Sequence, residues 1–470
     1  MQKMEVQTSR NDIHEESPDI LRQLKAHIKM ETLIPARFRG AYYKDTGRPK
    51  GNNLESFIWY FILRNFIGIT EDTVFLIVLK YSPALYGFCG FAKLPLASDI
   101  TTFRERYGGC IEIMFHGMVE ITEPICREID EKKAGYWIYD TSGLEANVKE
   151  NNPKYLNGKL EAAKKIAKTN PEYNPYKGVY SLLPDTAEAN VNVKQQYING
   201  HFCYAQKFGI AANGLGIVRH LAFFDERFKD RHPEIVSQKT DNPDLDKEIA
   251  DSASLKPVLS DFFAIHPDFK GNYHTFLGDT GFDSYDTYPM LRYDFDFARM
   301  AIPMNPRNSA TAHDHFDDNG TPLCHVDNTP FVFDSVCKGQ NRSERFKYIC
   351  PKSIKIKGQP NPVCSCEHPC TPNSYKCTYV YPHKNLRLYP GIPRATDHWD
   401  NLYRHRVLVE RTINIIKVDF GAGRHKSFSS FSAKAELFLA GISQLCCVIL
   451  AHSINKSHLF KSARKLLRAA

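Results

Sequence analysis

The sequence predicts a mixed α/β core, preceded by an all-α N-terminal domain and interrupted by an irregular, β-rich, cysteine-containing insertion. Three observations lead there. Apolar residues recur at helical spacing through residues 18–129. From Gly135 the pattern changes to short aromatic and β-branched runs that end in an acid. A late amphipathic helix carrying a further acid follows only after residues 308–398, a stretch broken up by Pro, Asn, Lys and Cys.

Residues 1–16 are polar and read as a disordered leader; the start of the chain has no hydrophobic segment of the signal-peptide kind. DILRQLKAHIK, LESFIWYFILRNFIG and EDTVFLIVLKYSPALYGFCG then read as helices punctuated by Gly and Pro. Ser98, ahead of Ile100, reads as the cap of another, which makes 17–130 a helical domain. GYWIYD predicts a strand closed by Asp140, with Thr141-Ser142-Gly143 as the turn behind it. KLEAAKKIAKTN through residue 199, and again 243–263, read as helices and loops. QKFGIAANGLGIVRHLAFFD is two apolar runs joined by Asn213-Gly214, the strongest short-range hairpin signal. YHTFLGDTGFD sets Asp279 at another strand end, and ARMAIPM is a further buried strand. The core thus occupies 131–307, resumes over 399–455 after the insertion at 308–398, and leaves a basic tail at 456–470.

ELFLAGISQLCCVILA contains Glu436, Ser443 and Gln444 and reads as a buried helix. No stretch approaches the ~18–20 uninterrupted apolar residues of a membrane span, so the expectation is a cytoplasmic protein without a membrane partner. The 13 cysteines, an odd number, are then expected to be reduced, buried or metal-bound.

Lys and Arg number 61 against 53 Asp and Glu, a net charge of +8 that permits a nucleic-acid partner without requiring one. Distribution says more. Arg22, Lys25, Lys29, Arg37, Arg39, Lys44, Arg48 and Lys50 face only Glu31 and Asp45 over residues 22–50. The tail carries Lys456, Lys461, Arg464, Lys465 and Arg468 with no acid. Both clusters suit phosphate neutralisation, and the helical domain is read as DNA-binding, with a dimerisation module as the alternative.

The most informative stretch is YRHRVLVERTINIIK. On a helix advancing about 100° per residue, Tyr403, Arg406, Glu410 and Lys417 fall within about 60° of one another. Leu408, Val409, Ile413, Ile415 and Ile416 take the opposite, core-facing side. A carboxylate flanked by three phosphate-holding groups describes a site for a metal-bound phosphodiester. Phosphoryl transfer needs ions that lower the nucleophile's pKa and neutralise charge, commonly two of them ~3.5–4 Å apart. Mg²⁺ (or Mn²⁺) needs only a few carboxylates besides water and substrate oxygens. Asp140, Asp279 and Glu410, two at strand ends and one on a packed helix, are the candidates to converge. Asp283, beyond the Thr280-Gly281 turn, reads instead as the cap of the following helix.

The spacing Y-x2-R-x3-E-x6-K, with the order Asp140, Asp279, Glu410, resembles the signature of insertion-sequence DDE transposases of the cut-and-paste type. The resemblance covers about 135–455, and FCGF with ASDITTFRERYG is similar to the N-terminal part of that family. It implies a ribonuclease H-like core. It implies metal binding by Asp140, Asp279 and Glu410, and contacts from Tyr403, Arg406 and Lys417 to transposon-end phosphates. Such an enzyme cleaves element ends by metal-dependent hydrolysis and joins the freed 3′-hydroxyl to target DNA, working as a homodimer on double-stranded DNA. Phe282 stands where that family often has Tyr, which removes a hydroxyl but no ligand. A ribonuclease H-like nuclease without strand transfer, and a domesticated DNA-binding protein, are the rival readings; the second should have lost one of the three acids.

Cys364, Cys366, Cys370 and Cys377, with His325, His368 and His383 nearby in sequence, offer a structural Zn²⁺ set of irregular spacing, or a group of reduced thiols. Arg424 and His425, in GRHKSF, could grip DNA or sit in a solvated loop. Trp399, Tyr379, Tyr381 and Tyr389 are candidates to stack a displaced base. Cys446 and Cys447 belong to the core.

Overall fold

Apolar spacing in the N-terminal third becomes helix in the computed structural model, which describes residues 19–44, 49–198, 200–236, 249–305, 315–340, 342–427 and 429–469. The leader at 1–16 and Arg48 of the basic cluster lie outside the described residues. The chain forms two compact units. One comprises Met1–Ala134, Thr141–Val258 and Val409–Ala470, and the other Gly135–Asp140 and Leu259–Leu408.

In the first unit, helices span Asp19–His27, Ala36–Tyr42, Leu54–Ile67, Asp72–Tyr81, Pro83–Cys89 and Ala97–Ala134. Leu54–Ile67 is apolar on every side and almost wholly buried, as an interior helix must be. The Ala97–Ala134 helix begins one residue before Ser98, with Asp99 Oδ2 accepting the Leu96 N–H at 2.9 Å, and is broken by the extended backbone of Asp130. The C-terminal helix Ser430–Ser453 packs along it, with Phe115 and Phe438 edge to face at 5.4 Å. A Cβ at Gly441 would stand 2.8 Å from Phe115 and 2.9 Å from Leu221, so only glycine allows this approach. By length and mean hydropathy (1.7) Ser430–Ser453 could cross a membrane; here its apolar surface, Cys446 and Cys447 included, is core.

A buried ionic network ties these helices together. Arg64 and Arg104 each pair with Asp72 at 2.7 Å, and both also pair with Glu436 of the C-terminal helix. Such a network forms only because the opposite charges offset each other's desolvation.

Beside the helices, His201–Ala212 and Val218–Phe223 form the expected antiparallel hairpin, in which Asn213 Oδ1 accepts the N–H groups of Leu215 and Ile217 at 3.1 Å. Two expectations fail here. Asn190–Ile198, read as helix or loop, is a strand antiparallel to His201–Ala212. Val193 fills a small core with Ala146, Val148, Ala187 and Tyr204 while Val191 and Tyr197 stay exposed, an alternation hidden by intervening polar residues. The Thr141-Ser142-Gly143 turn is absent as well, because the strand continues from Tyr136 to Glu145. Gly143 serves a close approach instead, since a Cβ there would lie 2.8 Å from Ile198 Cδ1.

In the second unit, Tyr136–Ile138 pairs in parallel with Thr275–Leu277, which pairs in parallel with Arg299–Ala301. Trp137, packed on Phe262 and Tyr273, and Ile138 and Tyr139 are fully buried, as strands covered on both faces require. Residues 308–398 contain the antiparallel strands Val332–Gly339, Arg342–Ile349 and Cys377–Val380 around Phe346, Tyr348, Val380 and Tyr389.

Asp283 corrects another expectation. It is not the N-cap of the following helix, a position held by Asp286: it is fully buried, with Arg387 at 2.6 Å, the Tyr288 hydroxyl at 2.7 Å and the Asn305 N–H at 2.7 Å.

Candidate active site

Strand register brings Asp140 and Asp279 together. The pairs Tyr136↔Thr275, Trp137↔Phe276 and Ile138↔Leu277 leave Asp140 two residues beyond the paired segment of its strand and Asp279 two residues past the end of the neighbouring one, as N-cap of the 3₁₀ turn Thr280–Phe282. Asp279 Oδ1 accepts the Gly281 N–H at 2.8 Å, which anchors one carboxylate oxygen. The other, Oδ2, lies 3.5 Å from Arg406 Nη2, and the same nitrogen donates to Asp140 Oδ2 at 2.9 Å. The Asp140 side chain is 18% exposed and that of Asp279 43%, so the pair forms a half-sheltered rim.

Tyr403 completes this group. Burial raises its phenol pKa, Arg406 pulls it down, and the charges of Asp279 and Asp140 push it further up, so the hydroxyl stays protonated at neutral pH. Its ring lies nearly parallel to that of Trp399, with centroids 6.1 Å apart.

A cationic nitrogen already lies against both carboxylates, and this is the donor chemistry a divalent cation uses. Asp140 and Asp279 therefore fit such an ion. Four of the residues expected at the site, Asp140, Asp279, Tyr403 and Arg406, are gathered within the second unit; Glu410 and Lys417 belong to the first.

Within the first unit, Glu410 is solvent-exposed in the opening turn of the Val407–Asn414 helix, whose inner face buries Val409 and Thr412. Thr412 Oγ1 donates to the Gly216 carbonyl at 3.1 Å, which fixes the helix rotation. Lys417 Nζ donates to Ser142 Oγ at 3.3 Å. Burial lowers the Lys417 pKa, while Glu145 and Cys203 hold it up.

The single regular helix expected over Tyr403–Lys417 is not observed. An α-helix ends at Tyr403, a tight 3₁₀ turn takes Arg404–Arg406, α-helix resumes over Val407–Asn414, and Ile415–Asp419 widens into a π turn. Val409 and Ile416 are buried as expected, whereas Leu408, Ile413 and Ile415 are only partly so.

Other expected contacts change. His425 is 8% exposed and lines a cavity of about 450 Å³ with Arg104 and Glu436, so it cannot grip DNA from a solvated loop. Burial lowers its pKa and leaves the ring neutral, whereas Arg424 is exposed. Trp399 and Tyr389 are buried and cannot stack a base; Tyr379 is exposed. Cys366 has Cys364 and Cys350 as neighbours, and Cys370 has Cys324 and the same Cys350, so Cys350 stands between the two pairs. Among the described residues, the set of three metal-ligating atoms within 4.8 Å of one another lies elsewhere.

Residues 9–106 match a family model described as "Transposase domain (DUF772)". A search of curated proteins gives no match. Among solved structures, the chain is similar to the piggyBac transposase in its synaptic complex with hairpin DNA. The identity is 11% and the TM-score 0.39, over 98% of this chain and 80% of that one.

Proposed function

We propose that this chain is a DNA transposase of the DDE kind. The observation that carries the reading is the convergence of the Asp140 and Asp279 carboxylates on one nitrogen of Arg406. The transposase-domain match at 9–106 supports the same reading independently of these residues.

Asp140 and Asp279, with Glu410 as third acid, would hold the divalent ions. Bound there, Mg²⁺ or Mn²⁺ lowers the pKa of an attacking water or hydroxyl and neutralises charge on the leaving oxygen. The chain's own groups do the rest. Arg406 turns its planar guanidinium from the carboxylates to a phosphodiester oxygen, which it can bind bidentately. Tyr403, kept protonated, donates a hydrogen bond to the DNA backbone, and Lys417 supplies a point charge. Hydrolysis at each element end frees a 3′-hydroxyl, which then displaces an oxygen of target DNA in line. Because two ends must react together, the working form is a homodimer on DNA.

The test is cleavage and joining of oligonucleotides copied from the DNA flanking the gene, with Mg²⁺ or Mn²⁺. Nicks bearing 3′-hydroxyls and joined products that vanish in Asp140→Asn are expected. Cleavage without joining of pre-cut ends would mean a hydrolytic nuclease, and undiminished cleavage by Asp140→Asn would remove the reading.

A further inference from the structure

A second constellation of ligand-bearing side chains lies wholly within the first unit, beside Lys417. Glu145 ends the strand Tyr136–Glu145, and His201 and Cys203 open the strand His201–Ala212 beside it. Residues two apart on a strand share a face, so the imidazole and the thiol project to the same side. A residue on the adjacent strand reaches that side with Cβ atoms ~4.5–5.5 Å away. Here the carboxylate oxygen, imidazole nitrogen and thiol sulfur all lie within 4.8 Å of one another, with Glu145 Oε1 and His201 Nε2 3.4 Å apart.

We propose that Glu145, His201 and Cys203 bind a divalent transition-metal ion of the zinc class.

The donor set is mixed in the way that class prefers: one oxygen, one nitrogen and one sulfur. Tetrahedral coordination at ~2.0–2.3 Å places ligand atoms roughly 3.3–3.8 Å apart, so small side-chain rotations close the triangle. Hard Mg²⁺ would be disfavoured by the sulfur and the nitrogen, which separates this site chemically from Asp140 and Asp279. Cys203 is 5% exposed whereas Glu145 and His201 are exposed. An ion would thus rest on a buried thiolate floor, keeping a fourth, outward position for water. Charge closes as well. The thiol loses its proton to solvent on binding, against the pull of burial and Glu145 but helped by the nearby Lys417 ammonium, and carboxylate plus thiolate offset the dication. Without metal the same groups are a surface carboxylate–imidazole contact next to a buried thiol, which is the competing account.

Cobalt(II) titration of the full-length protein reads the site directly, because a bound thiolate gives near-ultraviolet charge transfer and a four-coordinate ion gives visible absorption. Wild type should show one more thiolate-bound cobalt than Cys203→Ser. His201→Asn and Glu145→Gln, both at exposed side chains that can change without loss of the fold, should each weaken that equivalent at least tenfold. Asp140→Asn should leave the thiolate signal unchanged, since no sulfur lies in that site. Cysteines of residues 308–398 contribute equally to every variant and cancel in the differences. Spectra and stoichiometry identical in wild type, Cys203→Ser and His201→Asn would overturn the proposal. Loss of the signal only in Cys203→Ser, with His201→Asn and Glu145→Gln unchanged, would also overturn it in favour of an isolated thiol.

Discussion

Arg406 stands where the site's electrostatics are decided. Its guanidinium neutralises two carboxylates that repel each other, so it occupies charge that a metal ion would otherwise take. Arg406→Gln should therefore bind Mn²⁺ about tenfold more tightly, ~1.4 kcal/mol, while its DNA affinity falls and the slope of log K against log salt shrinks by about 0.9. Calorimetry with Mn²⁺ and mobility shifts across a salt series measure the two effects. Weaker metal binding in this variant would show that the arginine supports the ion instead of competing with it. Asp279 and Asp283, four positions apart, differ as sharply. Asp279→Asn should stop metal-dependent cleavage with little change in melting temperature, because its carboxylate is 43% exposed. Asp283→Asn should cost about 3–5 kcal/mol in urea unfolding, because it leaves Arg387 charged and buried without its counterion. A melting curve that Asp283→Asn leaves unchanged would return that residue to the capping role its sequence suggested. Nothing in GDTGFDS announces an arginine 104 positions away. Local sequence showed the turn but not the long-range partner.

Element by element, what could be read from the sequence was what depends on near neighbours. The helices of the N-terminal third, the Asn213 hairpin and the strands around Asp140 and Asp279 carry their signals within a few residues. Asn190–Ile198 did not, because half of its alternation is polar and its partner strand supplies the rest. The break between Tyr403 and Val407 was equally hidden, since YRHRVLVERTINIIK contains no Gly or Pro to mark it. The buried ion network gives a test at this scale. Burial alone would raise the Glu436 pKa, but Arg64 and Arg104 outweigh it and hold the carboxyl at about 2. Its folded value lies below the unfolded one of about 4.3, so the stabilisation is complete above that pH and is lost as pH falls towards 2. Glu436→Gln should lose about 3–5 kcal/mol at neutral pH, and its gap to wild type should narrow between pH 4.3 and 2. Urea midpoints over that range measure it, and a gap independent of pH would rule out the network as the cause.

At the scale of the molecule, sequence continuity and structural unit part company. The helical domain at 17–130 reads as DNA-binding, yet Met1–Ala134 belongs to the same compact unit as Val409–Ala470. The dependence is physical. The Ala97–Ala134 helix covers the apolar Ser430–Ser453 helix, and Arg64 and Arg104 hold the buried Glu436 on it. Removing residues 1–130 would expose an apolar helix of membrane-spanning length to water and strip a buried carboxylate of both its arginines. The truncated chain should accordingly aggregate or lose its cooperative unfolding transition. Exposed cations can be changed without this damage. Replacing Arg22, Lys29, Arg37 and Lys44 with Gln should weaken DNA binding and its salt dependence while leaving the melting temperature within a few degrees, because all four side chains are exposed. Soluble expression, a thermal melt and a mobility-shift series on the two proteins separate the cases. A well-folded 131–470 fragment would show that the N-terminal helices are a true module, and unchanged DNA affinity in the four-site variant would move the DNA-binding surface elsewhere.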